Sequence, residues 1–203
     1  EALIINDPAE RRRLMLSMLT EEPDAYLAQL QAAKLNDDVE VAHYAATAVV
    51  QISKESDLKL QQLERAFKTD PSAQNLNEYC DFLGEYLGSG LAEGRVAQIQ
   101  RQQYARLLAR RCEREDTLEL RIRYATALAD VGQIDEAQAV TDQLVLDVPE
   151  EQEVWMLCLR LAVMRRDGDE VHRVIDAIDK QHVYLSAANR EELAFWRNGE
   201  EAR

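Results

Sequence analysis

The sequence is poor in the residues that interrupt helices. Its 203 residues include only seven glycines and four prolines, and aromatic residues make up 6% of the chain. Runs of β-branched residues long enough to form a strand are absent. Ala, Leu, Glu, Gln and Arg predominate instead, and these residues lose little free energy in a helix. The composition therefore predicts an all-α chain.

Cysteine is equally scarce, with an odd number of three and no CxxC pair. Neither a zinc site nor a disulfide framework is indicated by that pattern. Each cysteine lies among apolar residues, which favours a small core residue in a reducing compartment. The three positions are Cys80, Cys112 and Cys158.

Long apolar runs are also missing, so no segment reaches the roughly 18 residues typical of a membrane span. A signal peptide is not visible either. The chain starts at Glu1 rather than Met, which leaves an upstream anchor open. The net charge of −14 argues against nucleic-acid binding, because phosphate contacts need Lys and Arg.

One segment departs from this acidic character. Between Arg95 and Arg114 there are six arginines and a single acid. Arg106, Arg110 and Arg114 follow each other at intervals of four, which places them on one face of a helix. They could form a basic strip for an acidic protein or for lipid headgroups. Alternatively, they match acidic neighbours within the chain, namely Glu113, Glu115 and Asp116.

Residues typical of helix starts, helix ends and turns divide the chain into about ten helices joined by short connections. Asp7-Pro8 and Pro23 predict helix starts, Asp37 or Asp38 an N-cap, and Asp70-Pro71 a stop. A turn is expected at residues 54–57 and another at 88–90. The remaining predicted helices are a long one near 93–113 and shorter ones near 117–131, 133–147, 151–166, 169–180 and 187–197.

The segment 124–149, YATALADVGQIDEAQAVTDQLVLDVP, resembles a tetratricopeptide repeat (TPR). Ala125 and Ala137 are the small residues at which two helices approach closely. Gly132 ends the first helix, and Pro149 closes the unit. Trp155 stands where the next repeat would begin, and residues 151–180 show the same layout.

A third unit is indicated by the segment 63–71, which resembles the end of a repeat. The opening segment 36–48 resembles a HEAT-type helix. Together these patterns predict a right-handed α-solenoid of antiparallel helix pairs, TPR-like with a HEAT-like N-terminal portion. The predicted divisions are HEAT-like helices over 1–55, TPR-like repeats over 56–184, and a C-terminal capping helix over 185–203.

The HEAT-like opening with HYAATA (43–48), the arginine-rich helix and the ending VYLSAANREELAFW (183–196) together resemble one family of bacterial membrane proteins. These are the TPR-bearing components (PelE) of the Pel exopolysaccharide synthase. The resemblance implies a cytoplasmic scaffold at the inner-membrane face, held by an anchor upstream of this segment. It also implies partners: a cyclic-di-GMP receptor, a glycosyltransferase and a membrane transporter of the same complex.

A search for catalytic chemistry yields little. The motifs HExxH and GxSxG and a Walker-type loop are absent, and no cofactor or metal site is predicted. His43 is expected in a core or interface. Asp169 and His172 are interpreted as a helix-start acid and a surface histidine. The chain is therefore predicted not to be an enzyme.

TPR superhelices bind peptides on the wall formed by the first helix of each pair, and this resemblance marks six positions as candidate partner-binding residues. They are Glu119, Ile122, Thr126, Glu153, Met156 and Arg160. The main hypothesis is a non-catalytic protein-interaction scaffold for Pel-type synthesis and secretion. The alternative is a regulatory TPR sensor or adaptor that binds a short peptide or helix in its concave groove.

Overall fold

The structure is a computed structural model that describes residues 27–198 of the chain. Within that range it contains nine α-helices and no strand, which confirms the predicted all-α class. Most helices that follow one another along the chain pack together, an arrangement consistent with an α-solenoid. The helices are α1 Leu27–Ala33, α2 Val39–Thr69, α3 Ala73–Gly88, α4 Gly94–Cys112, α5 Leu118–Asp130, α6 Ile134–Asp147, α7 Gln152–Arg165, α8 Gly168–Lys180 and α9 Ala187–Asn198.

The chain divides into two compact units, with the boundary between residues 97 and 98. This boundary lies near the start of α4, whereas the divisions expected from the sequence lay at 55/56 and 184/185. The predicted helix start at Pro8 falls outside the described residues, as does Pro23 itself. Where 27–198 can be compared, most predicted helix ends agree with the structure to within two residues.

The first unit is organised around the 31-residue helix α2. The Asp38 carboxylate begins this helix by accepting from the backbone N–H groups of Glu40 and Val41. The buried face of its first half packs against Leu30 and Ala33 of α1. Its second half packs against α3, and the helix ends before Asp70-Pro71, as predicted.

The turn predicted at residues 54–57 is wrong, because α2 runs through it without interruption. Lys54 and Glu55 are good helix formers, and the segment contains neither glycine nor proline to stop the ladder. Gln51 Nε2 donates to Glu55 Oε1 at 2.5 Å, one helical turn away. The polar residues at 54–57 therefore do not end α2. They lie where the packing partner of α2 changes from α1 to α3.

Two contacts between aromatic side chains and α2 fix helix α3. The rings of Phe67 and Tyr79 lie 6.2 Å apart between centroids. The Tyr86 hydroxyl donates to Asp57 Oδ1 at 2.8 Å. Burial, followed by the contact with Asp57, raises the pKa of Tyr86 to about 12. The neutral phenol therefore ties α3 to α2 as a hydrogen-bond donor.

The second unit repeats one pattern every 34 residues. Helices α5 and α7 begin at residues 118 and 152, and helices α6 and α8 begin at 134 and 168. Ala125 and Ala137 are fully buried where α5 meets α6, as the repeat resemblance predicts. Helix α5 also packs against α7, so contacts link alternate helices as well as successive ones.

A residue with a left-handed backbone conformation follows both α5 and α7, and the two residues are one 34-residue repeat apart. Gly132 has φ +81° after α5, and Arg166 has φ +57° after α7. At the first site, the N–H of Gln133 donates to the carbonyl of Leu128, and that of Gly132 to the carbonyl of Ala129. These are the two hydrogen bonds of a Schellman C-cap, so Gly132 ends the helix as predicted.

Candidate interaction surface

The arginine-rich helix α4 presents an exposed face within the second unit. Ile99, Arg106 and Arg110 are all exposed, and their spacing of seven and four residues keeps them on one side of the helix. The opposite side is buried through Ala105 and Leu108. The side chain of Ile99 is 55% exposed, which is high for an aliphatic residue and adds apolar surface beside the arginines.

The predicted strip of three arginines is only partly helical. Arg106 and Arg110 lie in α4, but the helix ends at Cys112, and Arg114 lies in the turn that follows. All three residues are exposed. The third arginine therefore does not continue the helical face, because its direction is set by the turn between α4 and α5.

A groove of about 400 Å³ lies beside Arg106. It runs between α4 and the turn that joins α5 to α6, and Arg106 and Glu136 both line it. Tyr124 lies in the same groove, where burial raises its pKa, with the charges of Cys112 and Glu136 adding to the effect. The groove thus combines a cation, a carboxylate and a neutral phenol, which suits a polar contact.

Other arginines near the strip form ion pairs with the acids named from the sequence. Arg111 Nε lies 3.7 Å from Glu115, and Arg121 Nε lies 3.8 Å from Asp116. Intramolecular charge matching, the alternative considered from the sequence, is therefore present at this corner.

The six positions predicted for the concave wall lie on α5 and α7. Ile122 and Met156 are half-buried and pack against the cores of their own helix pairs. Thr126 is half-buried, while Glu119 and Glu153 are exposed. Glu119 lies 3.8 Å from Arg123 of its own helix.

Arg160, the remaining position, has a structural contact. Its Nη2 donates to Asp130, the last residue of α5, across the α5–α7 contact. An exposed ion pair of this kind contributes at most about 1 kcal/mol. Even so, the ion pair with Asp130 engages the Arg160 guanidinium, which a peptide bound on this wall would otherwise contact.

Ion pairs between helices are the feature that sequence reasoning missed. Arg165 donates to Asp135 at 2.7 Å, joining α7 to α6, and the Arg160–Asp130 pair joins α7 to α5. Each arginine follows its partner by 30 residues. This shared interval, slightly shorter than the 34-residue repeat, was the signal available in the sequence.

The titratable groups considered for catalysis are not among the residues that line the groove beside Arg106. His43 is exposed on α2, which makes the expectation of a core position wrong. Asp169 is exposed in the first turn of α8, and His172 is half-buried in the same helix. No grouping of His, Cys, Asp and Glu suited to a metal ion occurs among residues 27–198.

None of the three cysteines forms a disulfide in the described part of the chain. Cys80 and Cys158 are buried core residues, and Cys112 is half-buried. None of the described helices combines the length and the apolar character that a bilayer span requires. No known protein family, curated protein or solved structure matches this chain.

Proposed function

We propose that the chain is a non-catalytic scaffold that binds other proteins, with the exposed face of α4 as its principal contact surface. The observation that supports this proposal is the placement of Ile99, Arg106 and Arg110 on one exposed face, next to the groove that Arg106 lines. The rest of the chain is strongly acidic, so this face differs in sign from its surroundings. A partner with an acidic, partly apolar surface fits it best.

The repeat type belongs to the same proposal. The 34-residue recurrence of helix starts and of left-handed C-caps supports TPR-like pairs in the second unit. In the proposed fold these pairs stack into a right-handed α-solenoid with a HEAT-like N-terminal portion. Such stacks contact only their neighbours and present long surfaces, which is the usual architecture of a binding scaffold.

The resemblance to the Pel synthase component supports a more specific role. In this proposal the chain lies at the cytoplasmic face of the inner membrane, and attachment is supplied by residues upstream of the segment. It holds a cyclic-di-GMP receptor and a glycosyltransferase close to each other in the exopolysaccharide complex. Neither role requires chemistry from this chain, so no cofactor or metal is assigned to it.

The alternative, a sensor that binds a short peptide on the wall of α5 and α7, has weaker support. Arg160 is engaged with Asp130, and Ile122 and Met156 are partly covered by their own cores. A peptide would have to displace these contacts, and the free energy of doing so would be subtracted from its binding.

Charge reversal on one helix tests the proposed surface. The Arg106→Glu variant should weaken binding to the cytosolic domain of the Pel cyclic-di-GMP receptor about fivefold or more, as measured by titration calorimetry at low salt. Arg101→Glu is the matched control, because Arg101 is exposed on another side of the same helix. Equal loss in both variants, or none in either, would reject this face as the contact surface.

A further inference from the structure

A groove of about 530 Å³ lies between the end of α8 and helix α9. Its floor is apolar, made by the buried side chains of Ile178, Leu185 and Leu193. Arg190 and Arg197 of α9 line its side. Asp179 also lines the groove, and its two carboxylate oxygens accept from the Arg197 guanidinium. The groove is therefore amphipathic, with an aliphatic base and a polar margin that holds Arg190 and the Arg197–Asp179 ion pair.

The position of the groove follows from the internal repeat. Helix α9 begins 35 residues after α7, one residue more than the 34-residue interval between α5 and α7, so the three helices are compared by counting from their first residues. On that count the equivalent site is the eighth residue of each helix. In α5 this residue is Ala125, fully buried in one core with α6, and in α7 it is Leu159, fully buried in one core with α8. In α9 it is Ala194, which is exposed and lines the groove. Within residues 27–198, α9 thus lacks the helix that covers this face in both earlier cases.

The fourth residue of α5 and of α9 is an arginine, whereas that of α7 is Trp155. The two arginines indicate the charge that a helix covering α9 would carry. In α5 the fourth residue is Arg121, whose Nη1 donates to Asp147, the last residue of α6, at 2.6 Å. In α9 it is Arg190, which lines the groove. Among the residues that the structure describes, no side chain is bonded to the Arg190 guanidinium. An acid placed like Asp147 on a covering helix would meet it.

We propose that the groove between α8 and α9 binds an amphipathic α-helix of a partner protein, packed as α6 packs on α5. The residues that this helix buries would have the same spacing as the buried residues of α6, which are Ala137, Thr141 and Leu144. An Asp or Glu three residues after the last of them would pair with Arg190. Recognition would thus use a helix in a groove, with a single ion pair fixing the register.

A second copy of the chain fits the groove less well. Helix α6 carries the whole pattern and α8 only its apolar spacing, and both helices already use these faces in their own cores. Donating one of them to a second copy would expose the apolar side chains of its own core to water, which is unfavourable. The groove is also separate from the exposed face of α4, so the two proposals can fail independently.

The probe is a synthetic peptide with the sequence of residues 134–147, stapled on its exposed side to hold it helical and titrated into the intact chain. Saturable binding is expected, and Ala194→Arg should abolish it by filling the groove. Ala188→Arg is the matched control, because Ala188 is an exposed alanine of the same helix outside the groove lining. Circular dichroism confirms that both variants keep the parent's helix content.

Charge exchange then tests the predicted register. Arg190→Glu should weaken binding of this peptide about fivefold, the upper range for an exposed pair. A peptide that carries Asp147→Arg should bind Arg190→Glu better than it binds the parent chain. Absence of saturable binding, or equal effects of Ala194→Arg and Ala188→Arg, would overturn the proposal. So would self-association of the chain that Ala194→Arg abolishes, because it would assign the groove to a second copy.

Discussion

Replacing Arg166 by glycine should stabilise the second unit. Arg166 follows α7 with φ +57° and ψ +35°, a left-handed conformation that costs a residue with a Cβ about 1–2 kcal/mol. Glycine removes this cost but has more freedom in the unfolded chain, which returns about 0.4–1 kcal/mol. The expected net gain in the free energy of unfolding is therefore about 0.5–1 kcal/mol. The Arg166 side chain is exposed, so little packing is lost.

Two glycines of the same unit allow a matched pair of glycine-to-alanine substitutions, which should change the free energy of unfolding in opposite directions. Gly132 has φ +81°, and a Cβ there would meet no atom within 4 Å, so Gly132→Ala should destabilise through backbone strain alone, by about 0.5–1 kcal/mol. Gly168 begins α8 without a left-handed φ and is equally open. Gly168→Ala should therefore stabilise by about 0.4–1 kcal/mol.

The measurement is urea unfolding followed by helical circular dichroism, with the slope of the transition held equal among variants. At a slope of about 1–3 kcal/mol per molar urea, these changes shift the midpoint by a few tenths of a molar unit. A lower midpoint for Arg166→Gly would refute the reasoning. So would shifts of the same sign for Gly132→Ala and Gly168→Ala, because the argument assigns their difference to φ.

Three further results are expected. Ala137→Leu should lower the free energy of unfolding by about 1–3 kcal/mol in the same urea assay, because Ala137 is fully buried between α5 and α6; an unchanged midpoint would contradict that packing. The raised pKa of Tyr86, about 12 against 10 when unfolded, contributes stability at neutral pH that is lost as pH rises from about 10 to 12. Tyr86→Phe should flatten that part of the stability profile, and an identical profile would contradict the raised pKa, which burial causes first and the Asp57 contact second. A thiol reagent should modify Cys112 well before Cys158, whose pKa burial raises to about 12, and equal rates would contradict the buried position.

Local chemistry explains why most helix ends could be predicted. Asp70-Pro71 and Gly132 act on the backbone of their own turn, so their effect depends little on distant residues. The turn at 54–57 failed for the complementary reason. Its polar residues do not break a helix, and α2 continues because its two halves pack against different helices. That choice of partner is a tertiary property, which a local pattern does not contain.

The candidate surfaces depend even more on tertiary structure. The spacing of Arg106 and Arg110 correctly placed both on exposed helix, whereas Arg114 falls beyond the end of α4. Arg160, predicted for a concave wall, lies on α7, and its guanidinium bonds to Asp130 of α5. Periodicity predicts which way a side chain points, but the acid that it meets there is set by how neighbouring helices pack.

Arginine content is therefore a poor guide to binding in this chain, and helix order is a better one. Arg121 and Arg190 are both the fourth residue of their helix, but within residues 27–198 only Arg121 has a covering helix that ends in an aspartate. The same residue in the same local setting is thus a structural ion-pair partner in α5 and, in α9, a cation that lines an open groove. Local sequence cannot separate the two roles. The presence or absence of the next helix decides between them, which is why the groove beside α9 becomes visible only once the repeat is aligned in three dimensions.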